Sequence, residues 1–103
     1  MTRLLLAACS ITAILALGLP ANATGKLTCE PIPRDAWLTK SELTEKLVAA
    51  GWSIRFVKED GGCWEAYGTT PEGQRVEAYF HPKSGKKLLV LRRGEVLFRA
   101  APE

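Results

Sequence analysis

The sequence predicts an α+β domain in which one helix packs on one face of a three- to five-stranded antiparallel β-meander, with one disulfide. Residues 62–67 and 75–80 alternate bulky apolar and polar side chains, which is the period of a half-buried strand. The turn-forming residues 68–74 join these two stretches into a hairpin. A capped amphipathic segment at residues 39–50 supplies the helix, and an even pair of cysteines supplies the crosslink.

Residues 1–23 have the features of a cleaved secretory signal peptide. Arg3 gives a positive start, residues 4–19 form a nearly unbroken apolar run, and residues 21–23 match the small-x-small cleavage pattern. Two alternatives stay open: an uncleaved membrane anchor, which needs a span of roughly 20 apolar residues, and lipidation at Cys9, whose preceding apolar core is short. Cleavage would leave about 80 residues, enough for one small domain.

Two cysteines, Cys29 and Cys63, remain after this cleavage. An even pair in a small exported domain predicts a disulfide, which would close a loop of about 35 residues and stabilise the fold by roughly 3–4 kcal/mol. A metal site would need further soft ligands nearby, and the sequence offers one histidine, His81. We therefore predict a disulfide and neither a metal nor another cofactor.

Residues 24–36 are predicted to be extended and irregular, because Pro31 and Pro33 exclude a helix. We expect this segment to run across the domain and to be pinned by the disulfide. The domain proper is then residues 37–103.

The helix is predicted over residues 40–50. Thr39 as N-cap and Glu42 reaching back form a capping box, and Gly51 ends the helix. Its apolar stripe consists of Leu43, Leu47, Val48 and Ala50.

Five strand candidates come after the helix. They are residues 53–58, 63–68, 75–81, 87–91 and 95–98. The last two would form a C-terminal hairpin, although a single extended tail would show a similar pattern.

Strand alternation assigns the side chains to two faces of the sheet. The face under the helix is predicted to carry Ile54, Phe56, Trp64, Ala66, Val76, Ala78 and Phe80. The opposite, open face is predicted to carry Arg55, Val57, Glu65, Tyr67, Glu77 and Tyr79. Antiparallel sheets can leave one face in water. Paired tyrosines there suit a protein-binding surface, and the alternative is cross-strand packing that stabilises the hairpin.

The order of motifs along the chain is specific. After the capped helix come Ala-Gly-Trp, Ile-Arg-Phe-Val-Lys, Gly-Gly-Cys-Trp-Glu-Ala-Tyr, Gly-Gln-Arg-Val-Glu-Ala-Tyr-Phe and His-Pro-Lys-Ser-Gly. This order, over roughly residues 37–87, resembles the PepSY domain family in its short exported form. Family members read Asp-Pro-x-Thr-Gly in the last motif, where this chain has His81 and Ser84. PepSY domains occur in propeptides of thermolysin-like metalloproteases, so the resemblance implies an open sheet face, a role in peptidase regulation and no catalytic residues.

No catalytic constellation is visible in the sequence. His81 lacks a nucleophilic partner motif, and its position at the end of a strand predicts a turn residue. Glu65 and Glu77 resemble an acid/base pair across the hairpin, but nearby arginines would balance them on a wet face. The 14 basic and 11 acidic residues alternate in sign, which argues against a nucleic-acid interface. Short Lys83/Lys86/Lys87 and Arg92/Arg93 clusters are the remaining candidates for an anion-binding patch.

These observations predict a non-catalytic binding module, periplasmic or secreted, that presents its open face to a protein partner in a bacterial cell envelope. By resemblance, that partner would be a peptidase, which the module would regulate or inhibit. No stable membrane insertion is expected after signal cleavage, and an exposed edge strand could pair two copies into a homodimer. The alternative is a ligand carrier or enzyme with a pocket between helix and sheet, lined by Trp52, Trp64 and Phe80.

Overall fold

The computed structural model describes residues 25–101, which form one helix packed on one sheet. A short 3₁₀ helix, Arg34–Ala36, precedes helix α1, Lys40–Ala49. The five strands are β1 Ser53–Asp60, β2 Cys63–Thr69, β3 Arg75–Phe80, β4 Lys87–Arg92 and β5 Glu95–Arg99. They form an antiparallel sheet in the order β1-β2-β3-β4-β5. The predicted α+β meander is confirmed, and the predicted signal peptide lies outside the described residues.

Helix α1 begins at the predicted capping box. The Thr39 hydroxyl accepts a bond from the Glu42 N–H at 3.0 Å, and the Glu42 carboxylate accepts one from the Thr39 N–H at 2.8 Å. Leu43 and Leu47 are buried against the sheet. The predicted stripe was too wide, because Val48 is 54% exposed and Ala50 comes after the last helical turn as an exposed cap.

The main core lies between α1 and the sheet. Trp52 packs edge-on against Phe80 with ring centroids 5.6 Å apart, and the buried Trp64 donates its indole N–H to the Leu38 carbonyl at 2.9 Å. Trp52, Trp64 and Phe80 belong to one packed cluster with the helix leucines, where the alternative prediction placed a pocket. The predicted inward parity of β2 and β3 is confirmed, since Trp64, Ala66, Val76, Ala78 and Phe80 all join this cluster.

Strand β1 departs from the predicted alternation. Ile54 pairs with Gly68 and Phe56 pairs with Tyr67, so one extra residue, Arg55, bulges between them. The extra residue reverses the facing of the rest of the strand. Phe56 is therefore 46% exposed on the far face, and Val57 is buried in the core under the helix. The prediction had placed Phe56 under the helix and Val57 on the open face, and both assignments were wrong.

The C-terminal hairpin is present. Arg93 and Gly94 form a two-residue turn with φ values of 53° and 82°, the left-handed backbone that such tight hairpins need. Strand β5 is the edge of the sheet, and its Leu97 is skipped in the pairing between Leu91–Val96 and Val90–Phe98. Both edge strands, β1 and β5, thus carry a bulge.

Residues 26–30, here called the strap, cross the sheet face opposite the helix. The predicted disulfide joins Cys29 to Cys63 with a Cα–Cα distance of 5.3 Å. The Cys29 N–H also donates to the Gly61 carbonyl at 2.8 Å. Gly61 has φ +63°, and a Cβ there would lie 2.3 Å from the Leu27 carbonyl oxygen. The strap therefore runs directly over the β1–β2 turn.

Within residues 25–101, no helix combines the length and apolar character that crossing a membrane requires.

Candidate functional site

The sheet face opposite α1 has two unequal halves. The strap covers one half, where Leu27 and Cys29 pack on a buried cluster of Cys63, Tyr79, Leu89 and Leu91. The other half, here called the open half, consists of Phe56, Lys58, Tyr67 and Glu77. The strap therefore hides part of the sheet face that was predicted to be open.

An aromatic pair dominates the open half. Phe56 and Tyr67 are cross-strand partners whose rings stack with centroids 4.5 Å apart and planes 16° from parallel. The Lys58 ammonium lies 5.5 Å from the centroid of the Tyr67 ring. Phe56 is exposed and Tyr67 is half-buried, so the stack presents a flat apolar platform to solvent.

Of the six residues predicted for this face, three remain accessible. Arg55 is exposed at the bulge, while Tyr67 and Glu77 are half-buried and pair with each other across β2 and β3. The other three are buried: Val57 lies under the helix, Tyr79 is 0% exposed and Glu65 is 2% exposed. The burial of Tyr79 has a clear cause, since the strap packs on the cluster that contains it.

Three polar side chains lie beneath and beside the strap: Tyr79, Asp60 and Glu65. The Tyr79 hydroxyl donates to Asp60 Oδ2 at 2.6 Å. Glu65 pairs with Tyr79 across the strands, and its Oε1 atom has no hydrogen-bond partner; the nearest cation, Lys58 Nζ, is 4.0 Å away. A buried carboxylate oxygen without a donor is costly.

Burial is the main cause of the shifted ionisation of these groups. It raises the pKa of the Glu65 carboxyl, against the lowering influences of the Tyr67 hydroxyl and of Lys58. Burial also raises the pKa of Tyr67 to about 12, helped by the neighbouring Glu65. The pKa of Tyr79 rises further, through burial first and the hydrogen bond to Asp60 second. Both tyrosines are therefore neutral hydrogen-bonding groups at any physiological pH.

The two acidic side chains of the β2–β3 hairpin are not placed directly across from each other. Glu65 and Glu77 do not face each other: Glu65 lies opposite Tyr79, and Glu77 lies opposite Tyr67. Among residues 25–101, no group of three or more His, Cys, Asp or Glu side chains is placed to hold a metal ion.

His81 is a structural acceptor in the turn after β3. Its Nδ1 atom accepts the backbone N–H groups of Lys83 at 3.1 Å and Ser84 at 3.2 Å, and Ser84 Oγ accepts the Lys86 N–H at 3.1 Å. The other ring nitrogen, Nε2, lies 3.5 Å from Glu30 Oε2. An aspartate at this position could accept the same two N–H groups with its carboxylate oxygens.

A groove runs between the strap and the end of the sheet, with a volume of about 740 Å³. The residues lining it are Leu27, Thr28, Cys29, Glu30, His81, Ser84, Lys86, Leu88, Arg99, Ala100 and Ala101. Lys86 and Arg99 bring positive charge to this groove, whereas Lys83, Lys87, Arg92 and Arg93 do not line it. The predicted basic clusters are therefore not gathered at this site.

Several residues of the site were not predicted from the sequence. Phe56 and Lys58 were missed because the bulge reverses β1, and nothing in the local sequence marks it. Leu89 and Leu91 could have been found, since they alternate around Val90 in a strand that was predicted.

The comparison with protein families agrees with the fold. The PepSY_2 family model, described as "Peptidase propeptide and YPEB domain", matches residues 6–88, which is most of the chain. The match begins inside the predicted signal peptide and ends within β4. No curated protein and no solved structure matches the chain significantly. With its capped helix, antiparallel meander and matching motifs, this chain belongs to the PepSY family of peptidase propeptide and YPEB domains.

Proposed function

We propose that this chain is an exported, non-catalytic binding module that holds a protein partner on the open half of its sheet, and that the partner is an exported peptidase. Membership of a family described by peptidase propeptides supports the choice of partner. The disulfide between Cys29 and Cys63 supports export, because such bonds persist in oxidising compartments. The apolar segment before residue 24 is consistent with a signal peptide.

The observation that carries the proposal is the stacked pair of Phe56 and Tyr67. A phenylalanine that is 46% exposed on a sheet leaves apolar area in water that a partner could bury. Aromatic side chains, and tyrosine in particular, are enriched among residues that dominate binding energy. Lys58 and Glu77 flank the platform with opposite charges, which would orient a partner across it.

The sheet edges are less suitable for binding than the face. Bulges at Arg55 in β1 and at Leu97 in β5 interrupt the ladder that an added strand would need. Edge bulges are a known protection against strand addition. A homodimer formed through an edge strand is therefore not the arrangement we favour.

The test is affinity capture from cell-envelope extract, with the oxidised protein as bait. Phe56→Ala/Tyr67→Ala should reduce partner recovery at least tenfold, because loss of two central aromatic contacts typically costs more than about 2 kcal/mol. Val48→Ala is the matched control: it removes a side chain that is 54% exposed on the helix, and recovery should not change. Equal recovery by all three baits would exclude the open half as the binding surface.

The identity of the partner is tested separately. The recovered protein should have peptidase activity, and addition of the wild-type chain should change that activity in proportion to complex formation. A partner without peptidase activity would exclude the regulatory role while leaving the binding surface intact.

A further inference from the structure

We propose that the strap is an internal occupant of a second binding surface on the same sheet face, and that reduction of the Cys29–Cys63 disulfide by a dithiol releases it. An extended partner segment with a basic residue followed by an aliphatic one could then take its place. This inference extends the proposed function, since it adds a regulated surface beside the open half.

The strap itself shows what kind of segment the surface accepts. Leu27 packs against the buried cluster that contains Tyr79, Leu89 and Leu91. The Cys29 N–H donates to the Gly61 carbonyl at 2.8 Å. The strap is thus held by one aliphatic anchor on the sheet face and by one backbone bond at the β1–β2 turn.

The charges on the side of the strap that faces the open half favour a basic residue in the ligand. Asp60 and Glu77 both act on Glu65 as like charges, and Lys58 is the cation that opposes them. Glu65 is 2% exposed, and its Oε1 atom has no hydrogen-bond donor. A ligand that supplies a donor there would satisfy a group that the strap leaves unsatisfied. The strap already places Lys26 before Leu27, which is the same basic–aliphatic order.

The disulfide ties the strap to β2, and a thiol–disulfide exchange reaction can reach its Cys29 sulfur. Cys63 is 0% exposed, but Cys29 is half-buried and lines the groove of about 740 Å³. A thiolate of the dithiol would attack Cys29 Sγ, and the Cys63 sulfur would leave as a thiolate and take up a proton. The second thiol of the reductant would then displace Cys29 as a thiol. The protein disulfide gains two electrons and two protons, and the dithiol is oxidised to a disulfide.

The first experiment measures hydrogen exchange of the strap in the full chain. On reduction, the amides of residues 26–30 and Gly61 should exchange at least tenfold faster, while those of α1 keep their protection. Unchanged exchange in the strap would overturn the proposal. Loss of protection in α1 would also overturn it, because the strap would then not be separable from the fold.

The second experiment uses a labelled peptide of residues 24–31, with serine in place of Cys29, as the probe. Cys29→Ser/Cys63→Ser should bind it at least tenfold more tightly than the oxidised wild type. Adding Leu27→Asp should tighten binding further, since the internal strap competes less well. A peptide carrying Leu27→Asp is the control and should not bind. No binding, or equal binding to oxidised and cysteine-free chains, would overturn the proposal.

These outcomes are independent of the partner-capture test. Phe56→Ala alone removes the exposed ring of the open half and keeps the Tyr67 hydroxyl beside Glu65, so it should leave strap exchange and peptide binding unchanged. Failure of the strap proposal would therefore leave the proposed function standing, and failure of partner capture would leave the strap measurements interpretable.

Discussion

Replacing Gly61 with alanine should weaken the attachment of the strap without touching the disulfide. Gly61 has φ +63°, a conformation that costs an alanine about 1 kcal/mol. The new Cβ would also lie 2.3 Å from the Leu27 carbonyl oxygen, so the strap must move. When the strap moves, the Cys29–Gly61 hydrogen bond is lost, which lowers the free energy of unfolding by about 1 kcal/mol. Part of the Leu27 side chain is also exposed to water, which lowers it by about another 1 kcal/mol. We expect a total loss of about 3 kcal/mol in the free energy of unfolding.

Gly73→Ala is the matched control. Gly73 also has a positive φ, +92°, but a Cβ there meets nothing within 4 Å. Its alanine variant should lose only the backbone cost of about 1 kcal/mol. Urea unfolding, monitored by the fluorescence of the three tryptophans, would measure both variants. Equal losses in the two variants would refute the claim that the strap presses on the β1–β2 turn.

A double-mutant cycle would sharpen this result. If Cys29→Ser/Cys63→Ser frees the strap, Gly61→Ala should cost no more in that background than Gly73→Ala does. The coupling energy between Gly61 and the disulfide should then be about 2 kcal/mol. Additive losses would show that the strap stays in place without its crosslink.

Three further predictions concern stability. Cys29→Ser/Cys63→Ser should lower the free energy of unfolding in urea by about 3–4 kcal/mol, since the crosslink closes a loop with a sequence separation of 34. In thermal melts, His81→Ala should lower the free energy of unfolding by about 1–2 kcal/mol, because it removes the acceptor of two backbone N–H groups. His81→Asn should lower it less, because the asparagine side-chain oxygen is still an acceptor for these groups. Glu65→Gln should stabilise the domain at pH 7, because burial raises the pKa of this carboxyl above its ordinary value of 4.5. The wild type should lose stability relative to Glu65→Gln as the pH rises from 4.5 through that raised pKa, in a series of urea titrations.

A different result would contradict each of these three predictions. A loss under about 1 kcal/mol in the cysteine-free variant would mean that the unfolded chain is already compact. Equal melts for the two His81 variants would show that the acceptor is dispensable. A pH-independent difference between the wild type and Glu65→Gln would mean that Glu65 titrates alike in the folded and unfolded chains.

The elements of this fold could be predicted because each rests on a short-range pattern. The capping box of Thr39 and Glu42 and the alternation in β2 and β3 lie within a few residues of each other. Phe56 and Val57 were assigned to the wrong faces because a single bulged residue reverses a strand, and the Ile-Arg-Phe-Val order does not show it. Tyr67 and Tyr79 have the same alternation, yet one is accessible and the other is buried. A segment some 50 residues earlier in the chain decides between them, which local periodicity cannot reveal.

The groove beside the strap is lined by residues near both ends of the described chain, Leu27 and Thr28 near one end and Ala100 and Ala101 near the other. Ends that lie so close together make a domain suitable for circular permutation or for insertion into a loop of another protein. Gly73, where added atoms would meet nothing within 4 Å, is the natural place to open the chain. A permuted form opened there would keep the Phe56–Tyr67 platform intact and would place a short linker across the groove.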